Sequence, residues 1–474
     1  MPGSFEPGTF FLSLVKDFLI LYNNILAKPF IRRIRMKAAF YTLGCKVNQY
    51  ETQIMEQAFS KAGFEIVDSE SAADVYVINS CTVTGTGDKK SRQMVRHFRR
   101  KNPNAVIALT GCYPQAFPDD ASLLLEADVI TGSADRSQVL PAVFDALDGK
   151  RVVHITPHEK FEEFEPMQAS GMLDRTRAFV KIQDGCDNRC SYCIIPKARG
   201  HVRSKPLKDI ERELESLLSH GYNEVVLAGI NLPFYGRDLG LSLINAVELS
   251  CEIMPRVRLS SLEPELLSRD DVERLAKLPN FCPQFHLSLQ SGCDRTLNRM
   301  RRRYNTDMYR EVVKNIREFF PNGGLTTDII VGFPGETEED FEESCRFAEE
   351  MEFAKVHVFP YSRRTGTDAA EMPDQIPNSV KTERAAKLAE RAEAVRRKFL
   401  EKQVGLTESV LIESEIKDGM MQGYTMNYTP VMIPAVKSLL SSVQEVVITG
   451  VSGDVCIGRI KNPPVGYDPM GMFD

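Results

Sequence analysis

Asp184-Gly185-Cys186-Asp187-Asn188-Arg189-Cys190-Ser191-Tyr192-Cys193 sets three cysteines at C-x3-C-x2-C spacing. A zinc site usually draws a fourth ligand from a second C-x2-C or a His pair, and none lies nearby. Three close thiolates can instead hold three irons of a four-iron cube, which leaves the fourth iron open to a small molecule. The stretch follows a strand-like run, Ala178–Gln183. Similar runs recur at Glu224–Gly229, Arg256–Leu262, Gln284–Gln290, Leu325–Gly332 and Ala354–Ser362, with helical segments such as Leu207–Ser219 and Thr337–Glu350 between them. These six β–α units are fewer than the eight of a closed barrel, but they put the cysteine loop after the first strand, where barrel active sites lie.

Upstream, three more strand-like runs each end at a cysteine. Lys37–Leu43 leads to Gly44-Cys45, Asp74–Asn79 to Ser80-Cys81, and Ala105–Thr110 to Gly111-Cys112. In the first intervening helix, Asn48 and Glu51 read as an N-cap pair, Ile54, Met55, Ala58 and Phe59 form an apolar stripe, and Gly63 ends it. Strands alternating with helices predict a parallel sheet with right-handed crossovers. Its strand carboxyl ends share the edge where ligands bind, so Cys45, Cys81 and Cys112 should converge. One buried cysteine is ordinary core; three at equivalent strand ends favour a shared ligand. Three thiolates do not close a four-ligand site.

The chain has 474 residues, enough for about three domains. Hydrophobic residues make up 43% and charged residues 26%, as in soluble globular proteins. A net charge of −6 means that a nucleic-acid partner needs local basic patches. The 11 cysteines, an odd number in a long chain, fit a reducing compartment with thiols free for metal. Phe10–Phe30 is apolar but interrupted by Lys16, Asp17, Asn23 and Asn24, so neither a membrane span nor a signal peptide is expected. Residues 1–35 read as an upstream extension or an accessory helix, because Met36 directly precedes the first convincing strand.

The C-x3-C-x2-C spacing resembles the radical S-adenosyl-L-methionine (SAM) superfamily. Both cysteine sets together, in TLGCKVNQYET, INSCTVT, LTGCYPQ, KIQDGCDNRCSYCIIPKARG, LSSLEPELL, HLSLQSGC, DIIVGFPGETEEDF and FPYSRRTGT, resemble the radical SAM methylthiotransferases. The resemblance implies an α/β protein in three parts. These are an N-terminal parallel-sheet cluster domain over 36–150, a partial (β/α)6 barrel with its trailing helix over 173–403, and a small TRAM-like β-barrel that binds RNA over 404–474. A linker, 151–172, joins the first two. Cys45, Cys81 and Cys112 would hold an auxiliary [4Fe-4S] cluster, and Cys186, Cys190 and Cys193 a second one that binds SAM. Gly229, Asn231, Ser288, Gln290, Gly332 and Glu336, at strand ends, are the SAM-site candidates.

Within the family, GINLPFY at Gly229–Tyr235, LSSLEPELL and RRTGTDAAEMPDQI look most like the branch acting on N6-threonylcarbamoyladenosine at position 37 of tRNA. The isopentenyladenosine branch typically reads GQNVNAY at the second strand end, and the ribosomal-protein branch has QDT. The implied chemistry has two phases. SAM first methylates a sulfur associated with the auxiliary cluster. A second SAM then yields a 5′-deoxyadenosyl radical that takes hydrogen from adenine C2, and the carbon radical attacks the methylthio sulfur. Acid–base side chains could not activate such a C–H bond, so no His is expected to act as a base. The expected setting is cytoplasmic, with tRNA as partner and an electron donor protein and sulfur source that the sequence does not identify. Lys205 stands where relatives often carry Arg, and no role is expected for it.

RNA contacts are expected from Lys89, Arg92, Arg96, Arg99 and Arg100 on the helix after Cys81, whose other face Met94, Val95 and Phe98 anchor. A second group, Arg301, Arg302 and Arg303, follows the fourth barrel strand. Arg363 and Arg364 are candidate partners for a substrate carboxylate. A long helix, Ser379–Gln403, precedes the tail, where strands are expected at Glu408–Glu413, Tyr424–Ile433, Gln444–Val451 and Val455–Ile460. Tyr424 and Tyr428 could stack on bases or pack the barrel. Two other readings compete: a methylthiotransferase for isopentenyladenosine tRNA or a ribosomal protein, and a noncatalytic iron–sulfur RNA-binding redox sensor. Reductive SAM cleavage separates the sensor from the enzymes.

Overall fold

Strands β1 (Lys37–Thr42), β2 (Glu65–Val67), β3 (Val75–Ser80), β4 (Val106–Gly111), β5 (Val129–Thr131) and β6 (Val152–His154) pair in parallel in the order β2-β1-β3-β4-β5-β6. The computed structural model describes residues 36–160, 162–166, 176–416 and 419–463; the extension 1–35, with Phe10–Phe30, lies outside them. Every residue of β3 and β4 is buried, because helices cover both faces of a parallel sheet. Helix α1 (Lys46–Lys61) puts Met55 and Phe59 into the core on one face. Helix α2 (Gly85–Lys101) puts Met94, Val95 and Phe98 into the core on the other, as its pattern predicts.

The central barrel is built from β7 (Arg177–Lys181), β8 (Gln183–Asp184), β9 (Arg203–Ser204), β10 (Glu224–Ala228), β11 (Val257–Leu259), β12 (Ser261–Leu262), β13 (Gln284–Leu287), β14 (Gly324–Val331) and β15 (Lys355–Pro360). β8 and β9 are a short antiparallel pair beside the barrel wall. The wall itself is two parallel pieces, β11-β10-β7 and β12-β13-β14-β15. The third strand breaks between β11 and β12, so its two halves belong to different pieces. The six strand-like runs of the sequence all lie in this wall. A single large cluster of Val, Leu, Ile and Phe side chains forms the core between the wall and its helices.

The trailing helix, α3 here (Asn378–Glu401), leads into a closed barrel of β16 (Thr407–Ile416), β17 (Met420–Thr425), β18 (Pro430–Pro434), β19 (Val443–Ser452) and β20 (Val455–Ile460), in the order β16-β17-β18-β20-β19. The expected single run Tyr424–Ile433 is instead the end of one strand, a turn and the next strand. Asn427 Oδ1 accepts from the Thr429 N–H and hydroxyl and from Thr425 Oγ1, and Tyr428 takes a positive φ of 70°. An Asx-type turn of this kind hides in a strand-like composition.

The tail docks on the central barrel through charge. Buried Glu224 accepts from Arg256 Nε (2.8 Å) and Arg258 Nε (2.9 Å). The same guanidinium groups donate to Ser409, Tyr424, Thr425 and Met426 carbonyls of the tail. Burial pushes the Glu224 carboxyl up, but Arg258, Arg256 and Arg177 outweigh it and hold it at about 2. Tyr424 and Tyr428 stack on one another at 4.6 Å, with Arg177 over both rings. Among the described residues no helix is long and apolar enough to cross a membrane.

Candidate active site between two cysteine sets

Cys45 stands at the start of α1, Cys81 just past β3 and Cys112 just past β4. Gly44 makes their approach possible. Its φ is +101°, and a Cβ there would lie 2.8 Å from both Cβ and Sγ of Cys81. The Cys45 and Cys112 thiols both donate to Asn48 Oδ1, at 3.9 and 4.0 Å. Asn48 is therefore not the expected helix cap. Cys45 occupies the cap position, and Asn48 Nδ2 instead donates to the Leu43 and Ser80 carbonyls, tying the β1 and β3 ends together. Glu51 likewise turns into the interior rather than back to the helix start. Burial pushes the Cys81 thiol up to about 12 and raises Cys112 as well. A metal cation is the partner that converts such thiols to thiolates.

In the second set, Gly185 (φ +73°) lets the loop turn so closely that a Cβ would fall 1.8 Å from the His201 carbonyl oxygen. Cys186 N–H donates to the Gly200 carbonyl (3.0 Å), closing the loop, and Cys193 N–H to the Cys190 carbonyl (3.1 Å). Arg302 Nη1 donates to Cys190 Sγ at 3.1 Å, and Asn231 Nδ2 to Cys186 Sγ at 3.6 Å. All 11 cysteines are free thiols. Asn231 Oδ1 is buried with no hydrogen-bond partner, an acceptor suited to an ammonium group. The donor sets thus fit two iron–sulfur clusters, and the orphaned oxygen beside the second set fits SAM.

The other SAM-site candidates divide. Gly229 directly follows β10 and lines a cleft along the inner barrel wall. Ser288 and Gln290 sit where β13 runs out, and Gln290, with φ 63°, exchanges backbone bonds with β14 through Asp328 and Ile330. Gly332 and Glu336 bind each other. The Glu336 carboxylate accepts from Gly332 N–H (2.8 Å) and from Arg384 Nη1 of α3 (2.7 Å), so it fastens this loop to the trailing helix.

Sequence reading missed the network between the two sets. Arg199, fully buried, donates through Nε to Cys112 Sγ (3.1 Å), through Nη2 to Asn48 Oδ1 (2.5 Å) and through Nη1 to Glu51 (2.6 Å) and Asp184 (3.2 Å). Lys181 and Arg136 complete the ring around Glu51 at 3.0 and 2.9 Å. Asp184 lies two residues before Cys186, so one guanidinium ties both cysteine sets together. Apolar packing of Cys112 and Ala116 on Ile194 and Ala198 supports the same join. Lys205, given no role from sequence, is buried against Glu213 and Tyr50.

A cleft of about 650 Å³ extends from Cys45 and Gly229 along the inner barrel wall to Tyr424 and Tyr428 of the tail. That wall carries polar side chains, including Ser261, Gln284, His286, Thr326 and Asp328.

Several expected RNA contacts are spent elsewhere. Arg302 is buried on Cys190 and Glu263, so it belongs to the cysteine loop and not to a phosphate surface. Arg99 staples the end of α2, donating to the Glu126, Pro103 and Ala105 carbonyls and to Asp128 (2.5 Å). Arg301 pairs with Asp368, Arg96 with Glu126, and Arg92 with the Tyr113 hydroxyl and ring. Lys89, Arg100 and Arg303 remain exposed. Arg364, expected to face a substrate carboxylate, is buried against Asp88 and Thr82 and joins the barrel to the first domain; Arg363 is exposed.

The radical SAM superfamily matches residues 180–348, and the uncharacterized protein family UPF0004 matches residues 37–132. The partial barrel and the C-x3-C-x2-C loop define a radical SAM enzyme. The threonylcarbamoyladenosine tRNA methylthiotransferase MtaB of Bacillus subtilis is 38% identical over 419 residues, covering 86% of this chain and 93% of the relative. MtaB of Thermotoga maritima is 39% identical, covering 82% and 89%. A tRNA-2-methylthio-N(6)-dimethylallyladenosine synthase of Pelotomaculum thermopropionicum is 32% identical, covering 87% and 95%. The chain belongs to the radical SAM methylthiotransferase family. Among solved structures, the radical SAM methyltransferase TsrM of Kitasatospora setae shares the fold, with a TM-score of 0.54 at 13% identity over 71% of this chain and 77% of that one.

Proposed function

We propose that this enzyme transfers a methylthio group to C2 of N6-threonylcarbamoyladenosine at position 37 of tRNA, in the cytoplasm. The observation that carries this reading is the cleft, which touches Cys45 of the first cysteine set and Gly229, two residues before Asn231, and whose barrel wall carries Ser261, Gln284, His286, Thr326 and Asp328. A threonylcarbamoyl group brings a carboxylate and urea atoms to such a wall. An isopentenyl group offers those polar side chains no hydrogen-bond partner, a mismatch that discriminates against it. Relatives of similar coverage include both substrate types, and the MtaB proteins are the more similar.

Bound SAM and the two clusters supply the methyl group, the electron and the radical. The protein's task is to hold them and exclude rivals. Cys45, Cys81 and Cys112 would hold one cluster, and Cys186, Cys190 and Cys193 the other. Asn231, whose buried Oδ1 has no hydrogen-bond partner, would accept from the SAM amino group. Arg199 and Arg302 each place one N–H on a ligand sulfur, which stabilises the thiolate charge. Gly229 leaves room for the Gln183 side chain, since a Cβ there would fall 2.8 Å from Gln183 Oε1.

Purified, reconstituted enzyme is expected to methylthiolate tRNA bearing threonylcarbamoyladenosine at least ~100-fold faster than tRNA bearing isopentenyladenosine, scored by nucleoside mass spectrometry. Comparable turnover of both would overturn the substrate assignment.

tRNA is held through the exposed cations of α2. Changing Lys89, Lys90 and Arg100 to Gln is expected to weaken tRNA binding and to flatten the slope of log affinity against log salt by roughly 0.7–0.9 per lost contact. Arg99→Gln is expected to cost stability instead, because its bonds are internal. An unaltered slope in the triple variant would remove α2 from the RNA surface.

A further inference from the structure

Three metal-ligating side chains on the cleft wall, two of them among its polar residues, stand close enough to share a ligand. His286 lies on β13, Asp328 on β14 and His357 on β15. Asp328 and His357 are direct register partners, and His286 pairs with Thr326, two residues before Asp328. Side chains alternate along a strand, so all three project from the same face, and all three line the cleft. One ligand atom from each lies within 4.8 Å of the others.

We propose that His286, Asp328 and His357 bind one divalent transition-metal ion of the zinc class, with its remaining coordination positions open to the cleft. Two imidazoles and one carboxylate are a borderline-soft donor set that suits zinc or iron(II) better than magnesium or calcium. Zinc bonds of ~2.0–2.1 Å set tetrahedral donors roughly 3.3 Å apart. His286 Nε2 and Asp328 Oδ2 already stand at 3.4 Å, which is long for a hydrogen bond but suits two ligands of one ion. His286 is also oriented from behind. Its Nδ1 meets Thr326 Oγ1 at 2.9 Å, and that oxygen accepts from Gln284 Nε2 at 3.1 Å. With Nδ1 as the donor, the Nε2 lone pair faces Asp328, the arrangement that outer partners impose on metal-bound histidines. The His357 ring nitrogens have no hydrogen-bond partner among the described residues, and its ring centroid lies 5.9 Å from that of His286. An ion here would sit on the wall of the substrate cleft, placed to take an oxygen ligand from whatever the cleft holds.

The test uses anaerobic holoenzyme with both clusters in place, dialysed against micromolar zinc chloride. Zinc and iron are counted by mass spectrometry, and the bound zinc is examined by X-ray absorption. Wild type is expected to hold about one zinc per chain in a nitrogen–oxygen shell, with its iron retained. Asp328→Asn and His357→Gln, measured separately, are each expected to bind zinc at least ~10-fold more weakly with the same iron content. Three results would overturn the proposal: no retained zinc in wild type, sulfur in the zinc shell, or equal zinc affinity in wild type and an iron-replete variant. The first two need no variant, so a misfolded mutant does not rescue the idea.

Discussion

Replacing Cys186, Cys190 and Cys193 together by alanine is expected to abolish reductive cleavage of SAM while leaving the auxiliary cluster in place. Two four-iron cubes give about eight irons per reconstituted chain, and losing one leaves about four. The complementary variant, with Cys45, Cys81 and Cys112 changed to alanine, should also fall to about four irons. It should keep SAM cleavage, because Asn231 and Arg302 address Cys186 and Cys190 and touch none of the upstream thiols. It should nevertheless form no methylthiolated product. Iron analysis, 5′-deoxyadenosine release under dithionite and nucleoside mass spectrometry read the three quantities separately. Cleavage that survives in the first variant would overturn the assignment of the C-x3-C-x2-C loop, whatever becomes of the substrate.

The fold was legible where a local pattern decides it. A strand ending at Gly-Cys, followed by a helical stripe such as Ile54, Met55 and Phe59, specifies a parallel β–α unit, and its repetition specifies the sheet. Spacing alone exposed the second cysteine set. What escaped were pairings between residues far apart in sequence. Arg199 lies in a basic PKAR stretch that resembles a surface turn, yet its partners are Cys112, Asn48 and Glu51 from another domain. Arg302 stands in a run of three arginines, where only its neighbours point outward. A count of charges cannot distinguish a phosphate contact from a buried donor to a thiolate, because the distinction is made by tertiary neighbours. Asn48 and Glu51 failed as a capping pair for the same reason. The i, i+3 spacing was right for a cap, but the domain interface had a stronger claim on both side chains. The hairpin at Asn427 shows the opposite limit, a local turn masked by strand-like residues on either side.

That interface carries the second large effect, expected from Glu51→Gln. Glu51 is fully buried, accepts from Arg199 and Lys181, and forms an ion pair with Arg136 at 2.9 Å. Burial alone would push its carboxyl up, but Arg136, Arg199 and Lys181 outweigh it and hold it at about 2, against 4.5 for an ordinary glutamate. Taking 1.36 kcal/mol per tenfold change in proton affinity, this difference corresponds to roughly 3 kcal/mol in favour of the folded state. Because the folded value is the lower one, that stability is complete above about pH 4.5. It is lost only as pH falls toward 2. Removing the charge leaves three cations crowded around Asp184, and breaking one partner of a buried ionic cluster typically costs about 3–5 kcal/mol. Glu51→Gln should therefore lower stability by about that amount, measured by circular dichroism in urea, since the chain has no tryptophan to report unfolding. The difference from wild type should stay flat between pH 8 and 5. Arg199→Met should lose comparable stability and also shift the auxiliary cluster to a more negative potential, because hydrogen bonds and positive charge at the ligand sulfur favour the reduced cluster. Glu51→Gln leaves the Arg199 bond to Cys112 available, so it should move the potential less. Equal potentials in wild type and Arg199→Met would mean that the Arg199–Cys112 contact holds the two domains together without tuning the cluster.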